Sequence, residues 1–285
     1  MLQLAKQARA ALSLLNPEAV RSLAQRPVHF GLVSSTAVGY ADMEDFLIPP
    51  SLAREVREEL FGLVHRAGDP NPPEEVDFVL YEEGLEVPEG ACAFRRDDPR
   101  GAIAAILAGN PDAAVPLARH FPVFRRAVVE RIIHAIAREN ALFAVATALP
   151  DVVPSLIELP WALGEWASDT AFLTANQLRM AFLIAAACGA RAGFADQKGQ
   201  ILSIAAGAFG WRALARELAG KIPFGGGLVP KCAIAYAGTY VVGKALERWH
   251  RTEARLAREE RRKLYETALE RGRSVARDLV PGESR

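Results

Sequence analysis

Along its first third, the chain alternates short apolar runs with stretches of helical periodicity. The run Val28–Val33 is flanked by a proline and by a Ser-Ser-Thr turn, and it predicts a buried strand. A second strand is predicted at Val76–Tyr81 and a short third strand at Ala91–Phe94. Strands that alternate with helices are typical of α/β domains. We therefore expect N-terminal helices in residues 1–25 and a small α/β domain with two or three strands in residues 26–115.

Capping residues mark where the helices of this region begin. Asn16 precedes Pro17, and the same order of a capping residue before a proline recurs at Asp98-Pro99 and Asn110-Pro111. These three pairs each predict a helix start. Ser51 precedes an amphipathic pattern that we interpret as one helix, with Val64 on its apolar stripe and Gly68 just past its end.

From Phe121 onward the pattern is helical, and residues 141–246 carry long apolar runs with few charges. Ala and Gly crowd these runs, and three consecutive glycines stand between two prolines. Small residues let two helices approach at backbone distance across a tight bend. We therefore predict a bundle of tightly packed helical hairpins over residues 116–246. The glycines expected to shape it are Gly225, Gly226, Gly227, Gly238 and Gly243.

The last part of the chain, residues 247–285, is dense in Arg and Glu and predicts one charged amphipathic helix to about Leu279. The chain as a whole has 34 Lys and Arg against 34 Asp and Glu, a net charge of zero. Such a balance does not favour a nucleic-acid partner. Taken together, the pattern predicts an α+β fold that is mostly α.

The residue types that commonly carry chemistry do not assemble into a known site. The three cysteines are far apart, and the five histidines show no HxxxH or HExxH spacing. We therefore predict neither a metal site nor a disulfide framework, and we expect no cofactor and no catalytic constellation. The sequence identifies no small-molecule ligand.

One turn has the register of a phosphate loop. After the strand that ends at Val33, the residues Ser34, Gly39, Tyr40 and Ala41 fall on the four defining positions of G-x-x-x-x-G-K-[ST]. Only Gly39 fits, since Tyr40 supplies no cation for the phosphates and Ala41 no hydroxyl for magnesium. Hydroxyls of the turn and a helix N-terminus can still attract an anion. We interpret Ser34 and Gly39 as a vestigial phosphate loop, and chance similarity is the simpler alternative because such turns are common.

Several separated motifs occur in order in the helical region, namely Ala148-Leu149-Pro150, Thr174-Ala175-Asn176-Gln177 with Arg179-Met180, Ile222 to Gly227, and Ala235-Tyr236-Ala237-Gly238-Thr239. This order resembles domain-of-unknown-function family 697. The resemblance covers about residues 140–250. It implies a membrane-associated helical region of bacterial proteins that are attached to, or accompany, Era-like GTPases, and it brings no catalytic residues.

The apolar runs could enter a membrane or form a core. A spanning helix needs about 20 apolar residues, and joining neighbouring runs to reach that length brings in charged residues such as Arg179. In favour of a membrane, all four tryptophans flank apolar runs as interfacial anchors do. They are Trp161, Trp166, Trp211 and Trp249.

We expect a non-enzymatic protein, associated with the cytoplasmic face of a membrane, that docks a partner such as a GTPase. One alternative is a soluble cytoplasmic scaffold of the same fold. The other is a weak nucleotide-binding protein that uses the vestigial phosphate loop.

Overall fold

The computed structural model describes residues 16–70, 72–146, 169–204 and 228–279. Predictions for residues 1–15 and for the triple-glycine bend lie outside these ranges. The glycines concerned are Gly225, Gly226 and Gly227, and the same holds for Trp161, Trp166 and Trp211.

The chain divides into two compact units. The sheet unit comprises residues 21–129 together with 186–190. The helical unit comprises the described residues among 16–20, 130–185 and 191–279.

Four parallel strands form the centre of the sheet unit, in the spatial order β2-β1-β3-β4. Strand β1 is central, and its neighbours β2 and β3 lie on opposite sides of it. This arrangement makes β1 the point of the sheet at which the strand order reverses. The strands are β1 Phe30–Val33, β2 Val64–Arg66, β3 Phe78–Glu82 and β4 Cys92–Phe94.

The predicted fold class is confirmed, but the sheet has one strand more than we predicted. The additional strand is β2, whose residue Val64 was placed on a helix that ran from Ser51 to Gly68. That helix begins at Arg54, with Ala53 rather than Ser51 as its N-cap, and ends at Phe61. A strand of three residues is too short to display period-two alternation, so only its pairing with β1 identifies it.

Each of the three predicted pairs of a capping residue and a proline begins a helix or a 3₁₀ turn. The Asp98 carboxylate accepts a hydrogen bond from Gly101 N at 2.9 Å, and Asn110 Oδ1 accepts one from Ala113 N at 3.3 Å. On the sheet, the Phe30 ring contacts Phe78 at a centroid distance of 5.3 Å and Phe121 at 5.0 Å. The helices are α1 Pro17–Gln25, α2 Ala37–Leu47, α3 Arg54–Phe61, α4 Pro99–Gly109, a 3₁₀ turn Pro111–Ala113 and α5 Ala114–His120.

Long helices make up the helical unit, and the predicted charged C-terminal helix is broken in two. Its first residues, Glu247 to Thr252, are the end of a helix that starts at Leu228. A turn at residues 253–257 follows, where Glu253 adopts a φ of +53°. The helices are α6 Pro122–Ala146, α7 Asp169–Ala187, α8 Leu228–Thr252 and α9 Arg258–Leu279, and residues 198–204 are also helical.

Glycines bring the helices of this unit close together. A Cβ atom at Gly243 of α8 would lie 2.6 Å from a side-chain carbon of Ile133 on α6. At Gly272 of α9 a Cβ would lie 2.8 Å from the backbone of Ala233 on α8. The contact at Gly243 lies within the predicted bundle, whereas the one at Gly272 joins α8 to the charged C-terminal helix, with which it forms an antiparallel hairpin that we had not predicted. Gly238 is buried in α8.

Candidate functional site

The phosphate-loop-like turn lies at the carboxyl edge of the sheet, between β1 and α2. Thr36 is the N-cap of α2, and its Oγ1 accepts a hydrogen bond from Gly39 N at 2.9 Å. Ser34 follows β1 directly. Ligands of doubly wound sheets bind at this edge, at the point where the strand order reverses, which β1 occupies here.

A carboxylate of the protein itself fills this turn. Glu82 Oε2 accepts hydrogen bonds from Ser34 Oγ at 2.7 Å and from Ser35 N at 3.0 Å. Glu82 Oε1 accepts one from Thr36 Oγ1 at 3.0 Å. A Cβ atom at Gly39 would lie only 2.4 Å from the Glu82 carboxyl carbon, so the glycine makes room for the carboxylate. Glu82 thus takes the place that an anionic ligand would take at the start of α2.

The strand register explains how Glu82 reaches the turn. β1 and β3 are adjacent and parallel, with Val33 paired to Tyr81. The residues that follow this pair, Ser34 and Glu82, therefore leave the sheet side by side. Glu82 was not singled out from the sequence; the signal that could have found it is that parallel strands end at one edge of the sheet.

The loop favours the charged form of Glu82. Hydrogen bonds from Ser34 Oγ and then from Ser35 N lower the pKa of the Glu82 carboxyl below its ordinary value of 4.5, and the Thr36 hydroxyl adds to the shift. A carboxyl whose pKa is lower in the folded than in the unfolded chain stabilises the fold at pH values above its unfolded-state pKa. That contribution is lost as the pH falls through the lower, folded value.

Glu82→Gln is expected to lower the melting temperature of the sheet unit by a few degrees at pH 7. The amide cannot accept from every donor that the carboxylate satisfies. The difference from wild type should shrink as the pH falls below about 4.5 and should vanish once wild-type Glu82 is protonated. Circular dichroism melts across this pH range measure it. Glu83→Gln, which removes the neighbouring exposed charge, is the control and should leave the melting temperature nearly unchanged; equal effects of both variants would contradict the assignment.

A second polar cluster joins α6 to α8. Glu130 Oε2 accepts a hydrogen bond from Lys244 Nζ at 2.9 Å, and its Oε1 accepts one from Tyr240 OH, also at 2.9 Å. His134 Nε2 lies 3.0 Å from the same Oε1. Burial raises the pKa of Glu130, but the hydrogen bonds from Lys244 and Tyr240 outweigh it, so its pKa lies below the usual range. The carboxylate is thus held charged between the two helices.

His134 extends this cluster to a buried tyrosine. Its Nδ1 lies 2.5 Å from Tyr236 OH, and burial raises the pKa of Tyr236 to about 12. The hydroxyl therefore stays protonated and shares one hydrogen bond with His134 Nδ1. The guanidinium of Arg271 on α9 lies 3.4 Å from Nε2. Hydrogen bonds therefore link α6 to α8, and Arg271 of α9 contacts the same cluster with its guanidinium 5.9 Å from the centre of the Tyr240 ring. His134 itself is only partly exposed.

A third set of polar side chains is fully buried and connects α6, α7 and α8. Asn140 Nδ2 donates to Thr239 Oγ1 at 2.8 Å, and Asn176 Nδ2 donates to Asn140 Oδ1 at 2.9 Å. All three residues are at most 4% exposed. Asn176 and Thr239 belong to two of the motifs on which the resemblance to family 697 rests. Those motifs meet here at one buried point, which gives them a packing role.

Comparison of the chain with protein-family models, with curated proteins and with solved structures gave no match. The resemblance to family 697 therefore stays a prediction.

Within the described ranges, no group of three or more His, Cys, Asp or Glu side chains is arranged to hold a metal ion. In the same ranges, none of the helices alone has both the length and the apolar character for a bilayer crossing. One bent pair, Pro99–Gly109 with Pro111–His120, meets that test jointly at an angle of 110°.

Proposed function

We propose that the protein is a non-enzymatic docking protein at the cytoplasmic face of a membrane and that a GTPase is its partner. The observation that carries the proposal is the position of Glu82. A carboxylate that already occupies the anion-binding turn competes with a nucleotide phosphate for the same donors. Because Glu82 already occupies the hydrogen-bond donors at the carboxyl edge of the sheet, this unit is suited to contact with a protein.

Membrane association is supported by the surface of the helical unit. Leu202 is 69% exposed and Trp249 is 37% exposed, so both leave large apolar side chains in contact with solvent. Trp is the residue most typical of membrane interfaces. The close packing of α8 at Gly243 and of α9 at Gly272 is also the way in which membrane helices associate.

The GTPase partner follows from the resemblance of residues 140–250 to family 697. A pulldown tests it. The tagged protein is incubated with a bacterial lysate in the presence of GDP or of a non-hydrolysable GTP analogue, and the eluate is assayed for GTP hydrolysis. We expect hydrolysis in the eluate, none from the purified protein alone, and recovery that depends on the nucleotide. Equal recovery of unrelated proteins under both conditions would argue against the proposal.

Membrane association is tested by fractionation. We expect the expressed protein to sediment with membranes and to stay there at neutral pH. Resistance to carbonate extraction would indicate that apolar helices insert, and release by carbonate would indicate surface binding. A protein that remains monodisperse in the detergent-free soluble fraction favours the scaffold alternative.

Weak nucleotide binding is a second candidate, favoured by the donors that surround the Glu82 carboxylate. Glu82→Ala vacates them, and we expect this variant to bind GTP or inorganic phosphate at least tenfold more tightly than wild type does. Isothermal titration with and without magnesium measures the difference. Micromolar, magnesium-dependent binding to wild type would instead show that the turn still works as a nucleotide site and would displace the docking proposal.

A further inference from the structure

An apolar groove lies in the helical unit beside the C-terminal half of α8. It has a volume of about 390 Å³ and is open to solvent along one side. A volume of roughly 300–1,000 Å³ is typical of ligand sites. Its floor consists of aliphatic side chains from α8, which are Val241, Val242, Ala245 and Leu246. The walls come from the helical segment 199–204 and from Leu256 in the turn before α9.

Two arginines on the rim have no acidic partner among the described residues. Arg255 precedes α9, Arg261 lies in its first turn, and both side chains are exposed. Within the described part of the chain, neither guanidinium is within 4.0 Å of a carboxylate oxygen. Their neighbour Arg262, by contrast, pairs with Glu259 at 2.7 Å. The groove therefore combines an apolar floor with two uncompensated positive charges.

Apolar side chains continue from the groove onto the surface. Trp249 lines the rim, and its Nε1 lies 2.9 Å from the end of the Gln200 side chain in segment 199–204; the indole can donate to this amide when the amide oxygen and nitrogen are exchanged. Leu202, in the same segment, projects into solvent. An indole at a rim with neighbouring arginines has the composition of a membrane-interface anchor.

We infer that this groove takes one acyl chain of an anionic phospholipid at a bilayer surface, with the headgroup phosphate or carboxylate on Arg255 and Arg261. Charge complementarity selects the anion, because a guanidinium pairs with a phosphate or carboxylate through two parallel hydrogen bonds. The aliphatic side chains of the groove floor favour the acyl chain of the lipid. The inference rests on the membrane association proposed above and specifies the lipid class and the residues that recognise it.

The open side of the groove favours a bilayer over a free fatty acid as the source of the chain. A single bound amphiphile would leave Leu202 and much of Trp249 in water. A bilayer surface covers these side chains while the arginines stay at headgroup level.

Vesicle binding tests the role of the arginines. Wild-type protein is mixed with vesicles of phosphatidylcholine alone or with vesicles that also contain phosphatidylserine, and the bound fraction is measured by flotation. We expect binding to the second type only. R255Q/R261Q should reduce this affinity roughly thirtyfold, since each arginine near an anionic surface contributes about 1 kcal/mol. The matched control R251Q/R258Q removes the same charge from exposed positions outside the groove and should cost much less.

The role of the groove itself is tested by filling it. Ala245→Phe places a ring on the groove floor and should weaken vesicle binding without changing the net charge. Ala257→Phe, which adds the same ring to an exposed position outside the groove, should not weaken it. Far-ultraviolet circular dichroism verifies that both variants are folded, and R255Q/R261Q keeps the test valid if Ala245→Phe does not fold.

The outcomes separate this inference from the proposed function. If wild type binds neither vesicle type, membrane association fails. If wild type binds, but both double variants lose affinity equally and Ala245→Phe binds normally, the groove assignment is overturned while membrane association stands. If the protein bound a soluble single-chain probe, dodecyl phosphate, but not vesicles, a bilayer could not be the source of the acyl chain in the groove.

Discussion

Gly272→Val is expected to separate α9 from α8 and to lower the free energy of unfolding of the helical unit by about 3 kcal/mol. Even a Cβ atom at this position would lie 2.8 Å from both the Cα and the carbonyl oxygen of Ala233. Those are backbone atoms, so the collision cannot be relieved by a side-chain rotation. One helix must move away from the other, and the apolar contacts of the hairpin are lost with it. Urea unfolding followed by circular dichroism measures the change.

Gly272→Ala separates this collision from intrinsic helix propensity. Alanine in a helix interior is about 1 kcal/mol more favourable than glycine, so propensity alone predicts stabilisation. We expect destabilisation, because the backbone contact outweighs that gain. The control is Gly199→Ala in the same unit, where an added Cβ meets no atom within 4 Å. If Gly272→Ala were as stable as this control, close approach of α8 and α9 could not be what stabilises the hairpin.

Asn140→Ala should destabilise the helical unit by about 3 kcal/mol. The substitution removes the acceptor of Asn176 Nδ2 and the donor to Thr239 Oγ1, and both groups then lie buried without these partners. Each unsatisfied buried group costs about 1–3 kcal/mol. Chemical denaturation of the purified variant gives the value. A loss below about 0.5 kcal/mol, which is usual for surface positions, would show that the network does not hold the three helices together.

A double-mutant cycle identifies the pair responsible. Asn176→Ala alone leaves the Asn140 carbonyl without its donor, and the double variant removes both amides. Residues in one hydrogen-bond network typically show coupling energies of about 0.5–3 kcal/mol, and additive losses would contradict the contact. Thr239→Val, which keeps the shape of the side chain and removes the hydroxyl, should cost about 1 kcal/mol.

The helix contact at Gly272 and the hydrogen bonds of Asn140 also bear on the proposed function. Asn176 and Thr239 belong to motifs on which the resemblance to family 697 rests, and in the structure they serve helix packing. If Asn140→Ala abolished GTPase recovery only through unfolding, docking would depend on surfaces elsewhere. The exposed rim of the helical unit and the Glu82-filled edge of the sheet unit are the places to examine first.

Local patterns determined much of the fold. Asp98 and Asn110 cap helices where a capping residue before proline predicts them, because such a cap requires only neighbouring backbone groups. The strands β1 and β3 were predicted from contiguous apolar runs. The mostly α fold class and the small-residue hairpin packing followed in the same way.

Features that join distant segments could not be predicted locally. Strand β2 has three residues and no periodicity, and it exists because β1 offers it a hydrogen-bonding edge. The turn at Glu253 interrupts a pattern that continues through it as a helix. Gly272 resembles any glycine in a charged helix until Ala233 is known to lie beside it.

The sequence by itself determined which segments are helices and strands, that small residues bring helices into contact, and that the turn after β1 has the register of a phosphate loop but lacks its lysine. Only the tertiary structure decided that Glu82 fills that turn and that Asn140, Asn176 and Thr239 meet. It also decided that Arg255 and Arg261 lie beside an apolar groove without an acidic partner in the part of the chain that the structure describes. The physical reason is range: caps and periodicity depend on neighbours along the chain, whereas these sites depend on strand register and helix packing between residues far apart in sequence.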